Sequence, residues 1–337
     1  MSRFVRCVGC NSPRLLRAAA FPAAIVLLLS QAACNAHLPA WPAASLPYEP
    51  TASFTIAVLD DRGGTAWPPP ADRNHPVKLD ADDALADFTR RLLGEMQARG
   101  MTPRYVAGHD ADLVLQVRTL HRHLLGTPRP TRANLYTALR ADLRHRGKTH
   151  TVVAYFQGLA WMVRPAEGDM PAVDIPLEAL VKEVASDINR AAIGARADEA
   201  QVETLIAEIG TAETEDYLRV LELGYTNNPG AAVPALVRLA DVENQIIQMC
   251  VAISLGNLGE DASLPVLARL HETSGARIRL MALKSILELD SLQARSYVRD
   301  VKASHRYRSA DVRELVDWYE RDDARDWDQR AEGSGAK

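Results

Sequence analysis

The feature that most constrains this chain is a repeat in its C-terminal third. Val233-Pro234-Ala235-Leu236-Val237-Arg238-Leu239 returns 31 residues later as Leu264-Pro265-Val266-Leu267-Ala268-Arg269-Leu270. At the same offset Ile247 aligns with Ile278, Met249 with Leu280, Leu255 with Ile286 and Leu258 with Leu289. A period of this size marks stacked supersecondary units, none of which can bury its apolar face alone. From about residue 197 onward strand signals are absent and the apolar residues recur at helical spacing. The pattern predicts helix pairs that share a core with their neighbours and need flanking helices to close the ends. Val202 to Ile209 and Val312 to Tyr319 are the candidate caps. Read alone, the period makes 197–323 a candidate independent folding unit.

Ile247-Gln248-Met249-Cys250-Val251-Ala252-Ile253-Ser254-Leu255-Gly256-Asn257-Leu258-Gly259 resembles the second helix of short HEAT-like repeats, and Leu255-Gly256-x-Leu258-Gly259 carries the resemblance. The second copy has Leu287 and Asp290 where the first has its two glycines. The resemblance spans roughly 215 to 318. It implies a protein-binding array that supplies no chemistry of its own.

Residues 51–195 read differently. Phe54, Ile56 and Val58 alternate as in a half-buried strand. Asp80 can cap a helix with the apolar face Leu85, Phe88, Leu92 and Met96, stopped by Gly100. Met101 to Ala107 and Asp112 to Leu125 are strand-like. Leu135 to Leu143 fits either a strand or a helix. Arg146-Gly147 followed by the β-prone Val152 to Trp161 favours the strand and a long hairpin. Leu177, Leu180, Val181, Val184 and Ile188 form the stripe of a second helix. The expected fold class is an α+β N-terminal domain, a mostly antiparallel sheet with helices on one face, followed by an all-α HEAT-like repeat domain. Phe54-Thr55-Ile56-Ala57-Val58-Leu59-Asp60 and Ala111-Asp112-Leu113-Val114-Leu115-Gln116-Val117 resemble the YajG-like, TolB N-terminal and curli-secretion domains of Gram-negative envelope lipoproteins. That likeness implies binding or assembly and carries over no active site.

The N-terminus reads as an address. Arg3, Arg6, Arg14 and Arg17 precede an uncharged run from Ala18 to Leu29, and Ser30-Gln31-Ala32-Ala33-Cys34-Asn35 follows. Basic segment, short apolar segment and small-residue cleavage site make a secretory signal. A membrane span needs about 20 apolar residues, more than this run has. Ala-Ala-Cys resembles the lipobox of bacterial lipoproteins. It implies lipidation at Cys34, and Asn35 implies the outer membrane, periplasmic face. A plain signal cut near Ala33, with secretion to the periplasm, and an uncleaved inner-membrane anchor are the alternatives. The expected organisation is a signal over 1–33, a Pro-rich tether over 34–50, the α+β domain over 51–195, the repeats over 196–320 and a charged, disordered tail over 321–337.

Composition narrows function. The net charge is −4. Removing residues 1–33 takes four arginines and no acid, leaving −8, which gives no general attraction to nucleic acid. Cys7 and Cys10 fall in the discarded segment, and Cys250 sits in an apolar helical pattern as a small hydrophobe. Asp60, Asp61, His75, His109, Asp110, Asp112, His121 and His123 are the residue types that hold divalent metals. Their spacing fits turns and caps better than a ligand set. HExxH, Gly-x-Ser-x-Gly and Walker patterns are absent from the sequence. No catalytic, cofactor-binding or metal-binding residue is assigned.

Charge is unevenly placed. Arg118, Arg122, Arg129, Arg132, Arg140, Arg144, Arg146 and Lys148 stand against one acid, Asp142, in 118–150. Asp198, Glu199, Glu203, Glu208, Glu213, Glu215, Asp216 and Glu222 stand against one base, Arg219, in 198–222. These are two solvated faces, or a pair that orients the domains, or a basic hairpin for an anionic envelope component. The reading that follows is a lipid-anchored, non-catalytic adaptor or assembly factor with a protein partner on its repeats. The alternative is a periplasmic hydrolase or metal-dependent enzyme with its site in the α+β domain.

Overall fold

The computed structural model describes residues 45–62, 77–78, 84–126, 132–161, 171–210, 216–289 and 291–320. The signal segment with Cys34, the start of the expected tether, His75, Glu213, Glu215 and the tail 321–337 lie outside them.

The N-terminal part is a mixed sheet with two helices. β1 (Phe54–Asp60) is followed by β2 (Val77–Lys78), α1 (Ala84–Ala98), β3 (Pro103–Tyr105), β4 (Leu113–Gly126), β5 (Arg132–His145), β6 (Lys148–Trp161) and α2 (Pro171–Ile188). The strand order is β3-β1-β4-β5-β6, with β2 paired to β4. The long antiparallel hairpin is present, and Arg146 and Gly147 both take positive φ at its two-residue turn. The sheet is mostly antiparallel, as expected, through the β2–β4, β4–β5 and β5–β6 pairs, but β1 pairs in parallel with both β3 and β4. α1 returns the chain to the start of β1, so β3 must run the same way. Tyr105 and Leu113 are both level with Ile56, so residues 106–112 need only step sideways across β1. Asp112 fixes that step by accepting hydrogen bonds from the Thr55 N–H and hydroxyl at 2.7 and 2.8 Å.

Alternation on the strands puts Leu115, Val117, Leu139, Ala141, Leu143, Val152 and Ala154 in the core, all at most 2% exposed. α1 adds Phe88, Leu92 and Met96, one turn apart on one stripe. α2 packs on β5 and β6.

The rest is helical: a π-helical turn (Asn189–Ile193), α3 (Glu199–Glu208), α4 (Tyr217–Gly224), α5 (Pro229–Leu239), α6 (Gln245–Leu258), α7 (Leu264–Thr273), α8 (Ala276–Glu288), α9 (Leu292–Ala303) and α10 (Ala310–Glu320). α3 and α10 stand where the sequence placed its caps. Successive helices form two rows: α4, α6 and α8 pack side by side, and α5, α7 and α9 lie outside them. The first repeat closes on Gly259 in the left-handed conformation (φ +67°). The second, without that glycine, ends α8 on an extended Leu289 instead.

The repeats do not stand apart from the sheet. The described residues from 45 to 320 fall in one compact unit, with a single apolar core running through both parts. Nor are residues 45–50 a free tether. Ser45 and Tyr48 are buried, and Tyr48 bridges to Ala197. The sequence periodicity reported where helices stack, and it carried no information about a long-range partner for the row they form.

Candidate binding surface

The two helical rows differ in what they leave to solvent. α5 buries Ala232, Ala235 and Leu236, α7 buries Leu267, Leu270 and His271, and α9 buries Ala294, Val298 and Val301. Each of these outer helices keeps one face for water. α6 and α8 are buried almost all round, which needs cover on a second side. α2 supplies that cover.

One repeat position faces α2. Carried one period further back, the 31-residue offset aligns Glu222 of α4, Ile253 of α6 and Lys284 of α8. All three are at most 3% exposed. α2 answers with adjacent residues of opposite charge. Lys182 Nζ lies 3.3 Å from Glu222 Oε2, and Glu183 Oε1 lies 2.8 Å from Lys284 Nζ. The π-helical turn after α2 continues the seam, because Arg190 donates to the Asn257 carbonyl of α6.

The cluster at Glu222 is balanced. Arg99, fully buried, donates to Glu95 Oε1 at 2.6 Å and to the Tyr225 carbonyl at 3.0 Å, and it pairs with Glu222 Oε1 at 3.0 Å. Its guanidinium lies over the Tyr48 and Tyr225 rings, 5.4 and 5.6 Å from their centroids. Lys182 Nζ also reaches both Glu95 oxygens, at 3.2 and 3.3 Å. Burial works against the charge of Arg99, but Glu222, Tyr48 and Glu95 outweigh it and its pKa is raised. Burial likewise opposes the charge of Glu95, but Arg99 and Lys182 hold its carboxyl below the usual range. The segment 45–48 is laced into this cluster. Ser45 Oγ donates to Glu95, the Leu46 N–H to Glu222 Oε1 at 3.1 Å, and the Tyr48 hydroxyl to the Tyr225 carbonyl at 2.5 Å.

Two small-residue contacts let the inner helices approach. A Cβ at Gly224 would meet the Ser254 Cα at 2.5 Å. One at Gly256 would meet Ser285 Oγ at 2.5 Å and Glu288 Oε2 at 2.6 Å. The telling glycine of the HEAT-like motif is thus a packing residue.

The other sequence candidates scatter. Asp60 pairs with Arg62 at 2.7 Å, and Asp61 with Arg118. His109 and Asp110 lie in the exposed step before β4, and the side chain of His123 is outside the described residues. Among the described residues no group of three or more His, Cys, Asp and Glu is arranged to hold a metal ion. Cys250 is buried and free, and burial pushes its thiol well up. The basic hairpin divides. Arg118 is held by Asp142 at 2.8 Å. Arg140 reaches from the face of β5 opposite Leu139 to donate to the Trp318 carbonyl of α10. Among the hairpin residues whose side chains are described, Arg144, Arg146 and Lys148, at the turn, are the exposed cations, and the side chains of Arg122, Arg129 and Arg132 lie outside the described residues. The charged side chains buried at the seam are Arg99, Lys182, Glu183, Glu222 and Lys284; of these the sequence had singled out Glu222 alone, as a member of the acidic run. Their signal was a charge at a repeat position where the middle copy has Ile253.

The family model described as HEAT repeats matches residues 202–287, which covers α3 to the end of α8. No curated protein matches the chain. The protein is thus a mixed-sheet α+β domain joined to a helical array similar to HEAT repeats, and repeats of that kind form protein-interaction scaffolds.

Proposed function

We propose that this chain is a lipid-anchored envelope lipoprotein, held by Cys34 at the periplasmic face of the outer membrane, that acts as a non-catalytic adaptor or assembly factor. The observation that carries the binding half is the two-row array. α2 fills its inner face, so a protein partner docks on the outer row of α5, α7 and α9. Support for the anchor is the order of arginines, apolar run and Ala32-Ala33-Cys34. Arg144, Arg146 and Lys148, exposed at the turn, would meet an anionic envelope component.

A photo-crosslinking residue at Leu292, 78% exposed on α9, tests the docking face, with exposed Gln97 on α1 as control. A discrete adduct from Leu292 alone is expected. Identical adducts from both sites, or none from any outer-row position, would sink the assignment. For the anchor, Cys34→Ser should release the chain from membranes. A processed serine variant that still sediments with them would refute lipidation.

A further inference from the structure

The two charge clusters of the seam differ in balance. At Glu222, two cations face two carboxylates. At Lys284, one ammonium faces two: Glu183 Oε1 at 2.8 Å and Glu288 Oε1 at 2.9 Å. The three side chains are 0, 2 and 10% exposed. Asp187 and Arg190, next along the chain, pair with each other at 2.7 Å nearer to solvent and leave this excess uncorrected. With both glutamates ionised the inner cluster has one negative charge too many. Its remaining oxygens point the same way. Glu183 Oε2, Glu288 Oε2 and Ser285 Oγ are buried without a hydrogen-bond partner among the described residues. A charged oxygen left bare in a dry interior is far costlier than a neutral one.

We propose that the seam between α2 and α8 holds one proton at neutral pH, on the Glu183–Glu288 pair bridged by Lys284, and that losing it loosens this seam. Among the described residues the surroundings offer no other neutraliser. Asp187 on α2 adds negative charge. From β6 the Tyr155 N–H lies 3.4 Å from Glu183 Oε1. From α10 the Tyr319 hydroxyl donates to Glu288 Oε1 at 2.7 Å. Tyr225, beyond the end of α4, also faces Glu183. Burial and these carboxylates push both phenols well up, so they stay neutral. Lys182, next to Glu183, is turned to Glu95 and Glu222. Burial raises the Glu183 carboxyl from 4.5 to about 8, against the pull of Lys284.

The sign follows. The folded chain keeps a proton that the unfolded chain releases above 4.5, so the stabilisation is whole below that pH and is lost as pH rises toward 8. Within that window the unfolding constant rises by up to about tenfold per pH unit from this site alone. Glutamine at 183 keeps the neutral shape and cannot ionise.

The experiment compares urea unfolding of the full chain and Glu183→Gln between pH 5.5 and 7.5. The ratio of their unfolding constants should climb about a hundredfold, tenfold per unit over two units. In parallel, amide exchange in α2 and α8, corrected for intrinsic rate, should speed up by pH 8.5 in the parent only. Parallel stability curves would overturn the proposal. If the variant does not fold, the infrared absorption of the parent decides. A protonated-carboxyl band present at pH 7.5, where Asp187, pushed up to about 6 by burial, is already ionised, and gone at pH 9.5 supports the proposal, and its absence at pH 7.5 refutes it.

Discussion

Replacing Lys284 by methionine removes the only cation of the inner cluster and keeps most of its stem volume. The one ionised carboxyl of the Glu183–Glu288 pair, within 2.9 Å of the lost ammonium, then has no counter-charge. The seam has two escapes: admit water, or take up a further proton. Protonating an ordinary glutamate, which titrates near 4.3, at pH 7 costs about 3.7 kcal/mol, at 1.36 kcal/mol per unit. That sets the scale of the loss, consistent with about 3–5 kcal/mol for breaking a buried pair from one side. The same arithmetic gives a slope, since at pH 5.5 the cost falls to about 1.6 kcal/mol. Urea unfolding followed by far-ultraviolet circular dichroism at both pH values measures it. Adding Glu288→Gln to Lys284→Met should recover much of the loss at pH 7, because the group left stranded is gone. A loss under about 1 kcal/mol, or one that does not change with pH, would refute the claim that Lys284 compensates buried charge.

Gly256→Ala should cost about 1–3 kcal/mol, the usual range for overpacking, because its Cβ would sit 2.6 Å from the Ser285 Cβ; a thermal melt unchanged within error would show that α6 and α8 can separate freely. His271, whose Nδ1 lies 2.8 Å from the Tyr297 hydroxyl, is pushed down to about 4 by burial and by Arg306 and Arg279. The unfolded chain then binds a proton first, so stability present above 6.5 should be lost as pH falls toward 4, and His271→Phe should flatten that acid limb.

Much of the architecture was legible because it is written in local periods. Leu85, Phe88, Leu92 and Met96 give α1, the strand alternation gives β1 and β4, and the 31-residue offset gives the stacked helices. The parallel pairing of β1 was not legible, because alternation fixes which face a residue takes and not the direction of its neighbour. The seam was hidden for a related reason. Lys182 and Glu183 look like ordinary exposed charges on the polar side of an amphipathic helix until the third element they touch is known. Glu222 and Lys284 did leave a trace, as charges at a position where Ile253 shows the array to be buried. His109, Asp112 and His121 suggested chemistry by residue type alone, and Asp112 is spent on the Thr55 backbone.

The buried segment at Ser45–Tyr48 has a mechanical meaning. Its main chain is tied to both halves within five residues: Leu46 to Glu222, Tyr48 to the Arg99 carbonyl at 2.7 Å, and Glu49 to the Arg196 carbonyl at 2.8 Å. A load arriving through the chain ahead of Ser45 meets the joint first, and not the free end of either half. Arg99 anchors the side chains at the same point, so the bonds must yield together rather than peel one at a time. A pull delivered there would be shared between sheet and array from the outset.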